Sequence, residues 1–173
     1  GLDTLMNELK RRGIRATIMA TADFVDVYST KFTKFHMDGN EIGLHGQTTF
    51  ERLDNLTYDL QKVLLTQALE IVGGCTPCGL AWPVTGFRAQ GFSQNEDTYR
   101  VINELGLTYN STFQAGLTFA PGHDNDTVPY AIDGYNFWAV PITTVEYGES
   151  NERVYLCDIS CGLAHRYTPE QYG

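Results

Sequence analysis

Two stretches decide how this chain is read: Gly39-Asn40-Glu41-Ile42-Gly43-Leu44-His45-Gly46-Gln47-Thr48-Thr49 and, further on, Gly86-Phe87-Arg88-Ala89-Gln90-Gly91-Phe92. In the first, the turn pair Asp38-Gly39 leads into a short β-run over residues 41–45 that ends in a histidine. In the second, Arg88 stands in a Gly-flanked turn at the end of another β-run. An imidazole and a guanidinium at neighbouring strand ends would meet in one site, provided that the strands run parallel. The residues after His45, Gly46-Gln47-Thr48-Thr49, bring hydroxyls and an amide to the same strand end.

Outward from these stretches, helix and strand signals alternate. Leu2, Leu5, Met6 and Leu9 recur at helical spacing, and Gly13 closes that segment before a β-rich run over residues 14–21. Phe24, Val25, Tyr28, Phe32 and Phe35 form the next apolar helix face. A long helix is predicted over residues 58–72, behind a possible cap at Thr57, with Leu60, Val63, Leu64, Ala68 and Ile71 turned inward. A β-run over 84–88, a helix over 96–105 carrying Val101, Ile102 and Leu105 inward, and a strand over 107–110 follow. Two more strands are expected over 137–144 and 153–159, after a polar loop around residues 120–126. This order predicts an α/β domain of parallel strands covered by helices, with a site at the strands' carboxyl ends.

At 173 residues, 42% of them apolar, residues 1–173 are expected to form a single domain with a substantial core, a segment of a larger protein. Twelve Lys+Arg against 21 Asp+Glu give a formal charge of -9. Such a surface repels phosphate backbones and argues against nucleic acid as a partner. No run approaches the roughly 18 consecutive apolar residues of a membrane span, and no signal-peptide pattern opens the segment. Three Asn-x-Thr sequons, at Asn55, Asn110 and Asn125, fit the N-glycosylation pattern and point to an extracellular or cell-surface glycoprotein. The cysteines form two close pairs, Cys75 with Cys78 and Cys157 with Cys161. A four-thiolate zinc site and a redox pair at Cys75 and Cys78 are alternatives, but extracellular disulfides, in any of three pairings, are favoured.

With these residues in view, the chain resembles the NodB-homology domain of the polysaccharide deacetylases. The resemblance rests on residues 13–19, 38–46, 86–109 and Trp138-Ala139-Val140-Pro141, which fall in matching order along nearly the whole chain. It implies a distorted (β/α) barrel, a divalent metal such as zinc that polarises an acetyl group and activates water, and a polysaccharide or other glycan as substrate. The family's opening Thr-Phe-Asp-Asp strand would precede Leu2 and is expected to be missing from this segment. The sheet edge it leaves open would then be covered by another domain or another copy. In the family's His-Ser/Thr-x-x-His motif, His45 keeps the first imidazole as a metal ligand, whereas Thr49 replaces the second. Arg88 matches the arginine that orients the catalytic base, and Gln90 stands in place of the motif's proline. Asn110 takes the position of a family aspartate, and Leu163-Ala164-His165 matches the motif whose histidine protonates the leaving group.

A hydrolytic metal needs about three protein ligands and an open position for water. One imidazole and a neutral hydroxyl do not supply that, so no cofactor is expected and the chain reads as a catalytically inactive deacetylase-like domain. Its role would be structure, assembly or glycan contact. The alternative is a working metal-dependent deacetylase, with His45 on the metal and Arg88 and His165 as catalytic residues. Plainer roles compete for each residue: His45 as a hydrogen-bonded strand-end histidine, Arg88 as the partner of a buried acid, His165 as an exposed loop residue. Tyr135, Phe137 and Trp138 read either as a sugar-stacking platform or as core and edge residues. His36 and His123 have no motif around them.

Overall fold

A computed structural model describes residues 1–75, 80–147 and 152–155. Helices α1 (Leu2–Arg12), α2 (Ala22–Val27), α3 (Ser29–Met37), α4 (Tyr58–Gly73) and α5 (Glu96–Glu104) alternate with strands β1 (Thr17–Ala20), β2 (Glu41–Leu44), β3 (Gly74–Cys75), β4 (Leu80–Ala81), β5 (Gly86–Phe87), β6 (Tyr109–Asn110), β7 (Tyr130–Ala131), β8 (Trp138–Ala139), β9 (Thr144–Tyr147) and β10 (Glu152–Tyr155). The main sheet has the order β1-β2-β5-β6-β8-β7. Its first five strands are parallel, as the alternation of elements predicts, and β7 is added antiparallel to β8. Two antiparallel pairs, β3 with β4 and β9 with β10, lie outside this sheet. Leu80 is the backbone partner of Cys75 in the first pair. Cys78, Cys157, Cys161 and His165 lie outside the described residues, so the expected cysteine pairing and the third motif histidine do too.

Period-2 alternation assigns the two faces of the sheet. Ala20, Ile42, Leu44, Phe87 and Ala139 turn toward the helices and join Val25, Phe32, Phe35, Leu65, Val72, Val101 and Ile102 in one core. Glu41, Gly43 and His45 therefore face the other way. The same face carries Gly86: a Cβ there would lie 2.0 Å from the Tyr109 ring, and one on Gly43 would lie 2.4 Å from Met19 Sδ. Only glycine lets these side chains cross the inner surface of the sheet at this distance. At the base of that face, Glu41 accepts hydrogen bonds from Thr17 (2.6 Å), Thr85 (3.0 Å) and Tyr109 (3.0 Å).

Two helical expectations need correction. The helix face predicted from Phe24 to Phe35 is broken at Tyr28 into α2 and α3, and Phe24 and Tyr28 are exposed at the junction. In α4 the inward residues are Gln61, Leu65, Ala68 and Val72, while Leu60 and Val63 are each 53% exposed. The helix is turned by one position from the most apolar choice because Gln61, 0% exposed, is held inside. Its amide donates to the Leu56 carbonyl (3.0 Å) and to Asn95 Oδ1 (3.1 Å), and its carbonyl accepts from the Thr98 hydroxyl (2.7 Å). Asn95 and Thr98 are the two halves of the capping box that starts α5, so the buried glutamine fastens α4 to the α5 cap. Thr57 does occupy the N-cap of α4, but its side chain makes no capping bond. Of the inward set expected in α5, Val101 and Ile102 are buried and Leu105 packs at the core's margin.

Candidate active site

The carboxyl ends of β1, β2 and β5 open into a cavity of about 550 Å³ lined by Ala20, Thr21, Asp23, His45, Thr49 and Gln90, with Phe24, Val27 and Tyr28 at its wall. Parallel strands end here together, so side chains far apart in sequence meet. The loop after β2 is set by Gly46, whose φ of 93° lies in the left-handed region, and by Glu51, whose carboxylate accepts from the Gln47 (2.7 Å) and Thr48 (3.3 Å) amides. Thr49 is thereby carried to the cavity wall.

His45 is held in one tautomer. Its Nδ1–H donates to the Arg88 carbonyl at 2.6 Å, which leaves Nε2 as the ring's lone-pair nitrogen. Burial, reinforced by the nearby Arg88 charge and opposed by that hydrogen bond, lowers the imidazole's pKa, so the ring is neutral at pH 7. A neutral imidazole with a fixed Nδ1–H has the form of a metal ligand or a base.

Arg88 bridges two strand ends. Its guanidinium donates through Nε to the Ser111 carbonyl (3.0 Å) and through Nη2 to the Ser111 hydroxyl (2.8 Å), tying the end of β5 to the end of β6; among the described residues no acid pairs with it. Burial pulls its pKa down from the usual arginine value, though an arginine remains charged. Asn110, at the position of the family aspartate, lies on the face opposite to Arg88. It pairs in register with Phe87, is 0% exposed, donates to Gln94 Oε1 (2.8 Å) and accepts from the Thr112 amide (2.9 Å). The strand's alternation thus places Ser111, one residue on, where a partner for Arg88 is needed.

Asp23 is the cavity residue that motif reading missed. It sits in the first turn of α2, where the chain leaves β1, and its amide donates to the Gln47 carbonyl (3.1 Å). Position just past a strand end was the available signal, but no motif flags it. His36 stacks on Trp82, and His123 stacks on Tyr130 while pairing with Asp126, so neither lines the cavity. The aromatic run divides: Phe137 is core, Tyr135 packs on it, and Trp138 is 55% exposed.

The donor set can be tested against a divalent ion. The cavity offers one imidazole, one carboxylate, the hydroxyls of Thr21, Thr49 and Tyr28, and the Gln90 amide. Among the described residues no three His, Cys, Asp or Glu side chains converge to hold a metal. Glu51 Oε1 is buried without a hydrogen-bond partner among the described residues, but it does not line the cavity. These residues do not fit a catalytic ion, which takes about three strong protein ligands.

Neither a protein-family model nor a curated protein sequence matches the chain. Solved structures do. A protein from Mycobacterium smegmatis assigned as a polysaccharide deacetylase aligns with a TM-score of 0.63 at 22% identity, over 82% of this chain and 45% of its own. A family 4 carbohydrate esterase from Streptomyces lividans, in complex with acetate, aligns at 0.58 and 17% identity, over 66% of this chain and 56% of that one. The fold is that of the polysaccharide deacetylases. It is α/β with a mixed sheet, of the distorted-barrel type that the motifs imply. A pseudoenzyme of the same carbohydrate esterase family from Bacillus anthracis shares the fold (TM-score 0.56, 16% identity, 63% of this chain and 37% of that one), and so does a mutant of it with restored enzymatic activity. This chain spans about half the length of the deacetylase structures it matches.

Proposed function

We propose that this chain is a deacetylase-fold domain that does not itself catalyse metal-dependent deacetylation, and that it serves a structural, assembly or glycan-contact role in a secreted or cell-surface glycoprotein. The observation that carries this reading is the pairing of His45 with Thr49 in one cavity: the imidazole is oriented as a ligand, and its counterpart is a hydroxyl. A hydroxyl neither balances the charge of a divalent ion nor completes its ligand set. Loss of activity on a retained fold has a parallel in the Bacillus anthracis pseudoenzyme, and the restored mutant of that protein indicates that the scaffold can outlast its chemistry. The three sequons and two cysteine pairs support an extracellular setting.

One observation favours a second reading. His45 keeps the Nδ1–H to carbonyl bond that readies Nε2 for a ligand, as a working metal-dependent deacetylase of N- or O-acetylated polysaccharide would require. Arg88 would then order the site through Ser111, and any further carboxylate would come from outside the described residues. Acetate release from acetylated chito- and xylo-oligosaccharides, with zinc, cobalt or manganese supplied, decides between the two. No release above the rate of a His45→Ala control supports the non-catalytic reading, and His45-dependent release overturns it.

A further inference from the structure

The three sequons are equivalent as sequence, each ending in threonine with a residue other than proline between. The fold makes them unequal. We propose that Asn55 and Asn125 are the N-glycan acceptors of this chain, and that Asn110 is a structural residue closed to modification in the folded protein. The proposal rests on the secretory reading given above.

In the transfer reaction the asparagine carboxamide nitrogen attacks C1 of an oligosaccharide carried on a lipid pyrophosphate. The C1–O bond breaks with its electron pair going to the pyrophosphate, and the nitrogen gives up one of its two protons as the N-glycosidic bond forms. The acceptor must expose its carboxamide and the hydroxyl two residues on, and the product must leave room for a bulky, hydrated sugar. Asn55 and Thr57 meet both conditions. Both are exposed, in the turn that leads from the cavity loop into α4, and the Thr57 hydroxyl makes no capping bond. Asn125 and Thr127 are likewise exposed, at the tip of a braced loop. The brace consists of the Gly116 amide on the Asp124 carbonyl (2.7 Å), the His123 ring on Asp126 (2.7 Å), and that ring stacked 3.9 Å from Tyr130.

The third sequon is enclosed. Asn110, Ser111 and Thr112 are 0%, 4% and 0% exposed, and β6 lies between β5 and β8 inside the sheet. The Asn110 nitrogen is committed to Gln94, its oxygen accepts from the Thr112 amide, and the Thr112 hydroxyl accepts from the Ala89 amide (2.9 Å). A sugar on this nitrogen would break the bond to Gln94 and force its bulk into the helix-covered face of the sheet. Chains modified there before folding would not close β6 against β5.

The test is to secrete the full chain from a eukaryotic host behind a supplied signal sequence and to isolate the folded, monodisperse fraction. Its glycans are then released enzymatically in 18O-labelled water and the peptides are mapped by mass. Label at Asn55 and Asn125, with unmodified Asn110, is the expected result. Label at Asn110 in folded protein, or an unlabelled Asn55 or Asn125, overturns the corresponding assignment. Unglycosylated protein from bacteria supplies a second readout: an Asn55→Gln, Asn125→Gln double variant should melt with wild type, whereas Asn110→Gln should melt lower. Equal melting of Asn110→Gln and wild type removes the structural role. Native protein that lacks glycan, set against host-made protein that carries it, would refute the secretory reading and leave the acceptor assignment standing.

Discussion

Substituting Gln61 by leucine opposes what the amphipathic pattern of α4 would recommend. On pattern alone, residues 60 and 63 belong in the core, so a further leucine at 61 should be harmless and Leu60→Gln costly. The structure predicts the reverse. Gln61→Leu leaves the Leu56 carbonyl and the Thr98 hydroxyl each without one buried partner, at roughly 1–3 kcal/mol apiece. The leucine recovers about 1–2 kcal/mol by apolar burial, for a net loss of roughly 0–5 kcal/mol, centred on about 2.5 kcal/mol. For a domain of this size the central value lowers Tm by roughly 5–10 °C. Leu60→Gln and Val63→Gln, at half-exposed positions, should stay within about 0.5 kcal/mol of wild type. Urea unfolding of the three variants, followed by far-UV circular dichroism, measures the order directly. A double-mutant cycle with Thr98→Val should return a coupling of about 1 kcal/mol or more. A Leu60→Gln variant less stable than Gln61→Leu would refute the assignment of the inward face, and with it the link between α4 and the α5 cap.

Further predictions concern the inner face of the sheet. Because burial lowers the His45 pKa in the folded state, the unfolded chain binds the extra proton first as the pH falls. The His45 contribution is therefore complete above the unfolded pKa of about 6.5 and is lost as the pH drops toward the folded value. A His45→Gln variant should show a flatter stability profile over that acid window, and an unchanged slope would contradict the buried neutral ring. Ser111→Ala removes one of the two acceptors of the Arg88 guanidinium and should cost about 1–2 kcal/mol in denaturant unfolding; no loss would mean that Arg88 does not tie β5 to β6. Gly86→Ala places a methyl group 2.0 Å from the Tyr109 ring and should cost about 1–3 kcal/mol by overpacking. Tyrosine fluorescence should change as Tyr109 leaves Glu41, and a silent substitution would disprove the close approach.

Much of the fold was legible because the sheet obeys simple rules. The β2 run alternates in sequence and ends in His45, and the structure buries Ile42 and Leu44 with Gly43 between them. The helices α1, α4 and α5 announced themselves by period. The rest depended on contacts between distant residues. Nothing local marks Gln61 as buried, because its partners Asn95 and Thr98 come from another helix. The break at Tyr28 is hidden by an apolar period that continues through it. The two-residue strand β7 is too short to alternate, so its antiparallel addition to β8 went unread. At the site, motif matching gave His45, Thr49 and Arg88, all of which the fold brings to the strands' carboxyl ends. Asn110, matched to a family aspartate, turns toward the helices and bonds Gln94, while its neighbour Ser111 meets Arg88, because adjacent strand residues face opposite ways. Asp23 escaped notice because proximity to His45 arises only when β1 and β2 pair.

The central claim is that the cavity holds too few ligands for a catalytic ion, and a zinc titration by isothermal calorimetry tests it most directly, with wild type, His45→Ala and Thr49→His compared at pH 7.5. Wild type and His45→Ala should be indistinguishable, and Thr49→His, by adding a second imidazole beside the first, should bind at least about tenfold more tightly. One tightly bound equivalent in wild type that disappears in His45→Ala would contradict the account and identify the site as a working metal centre.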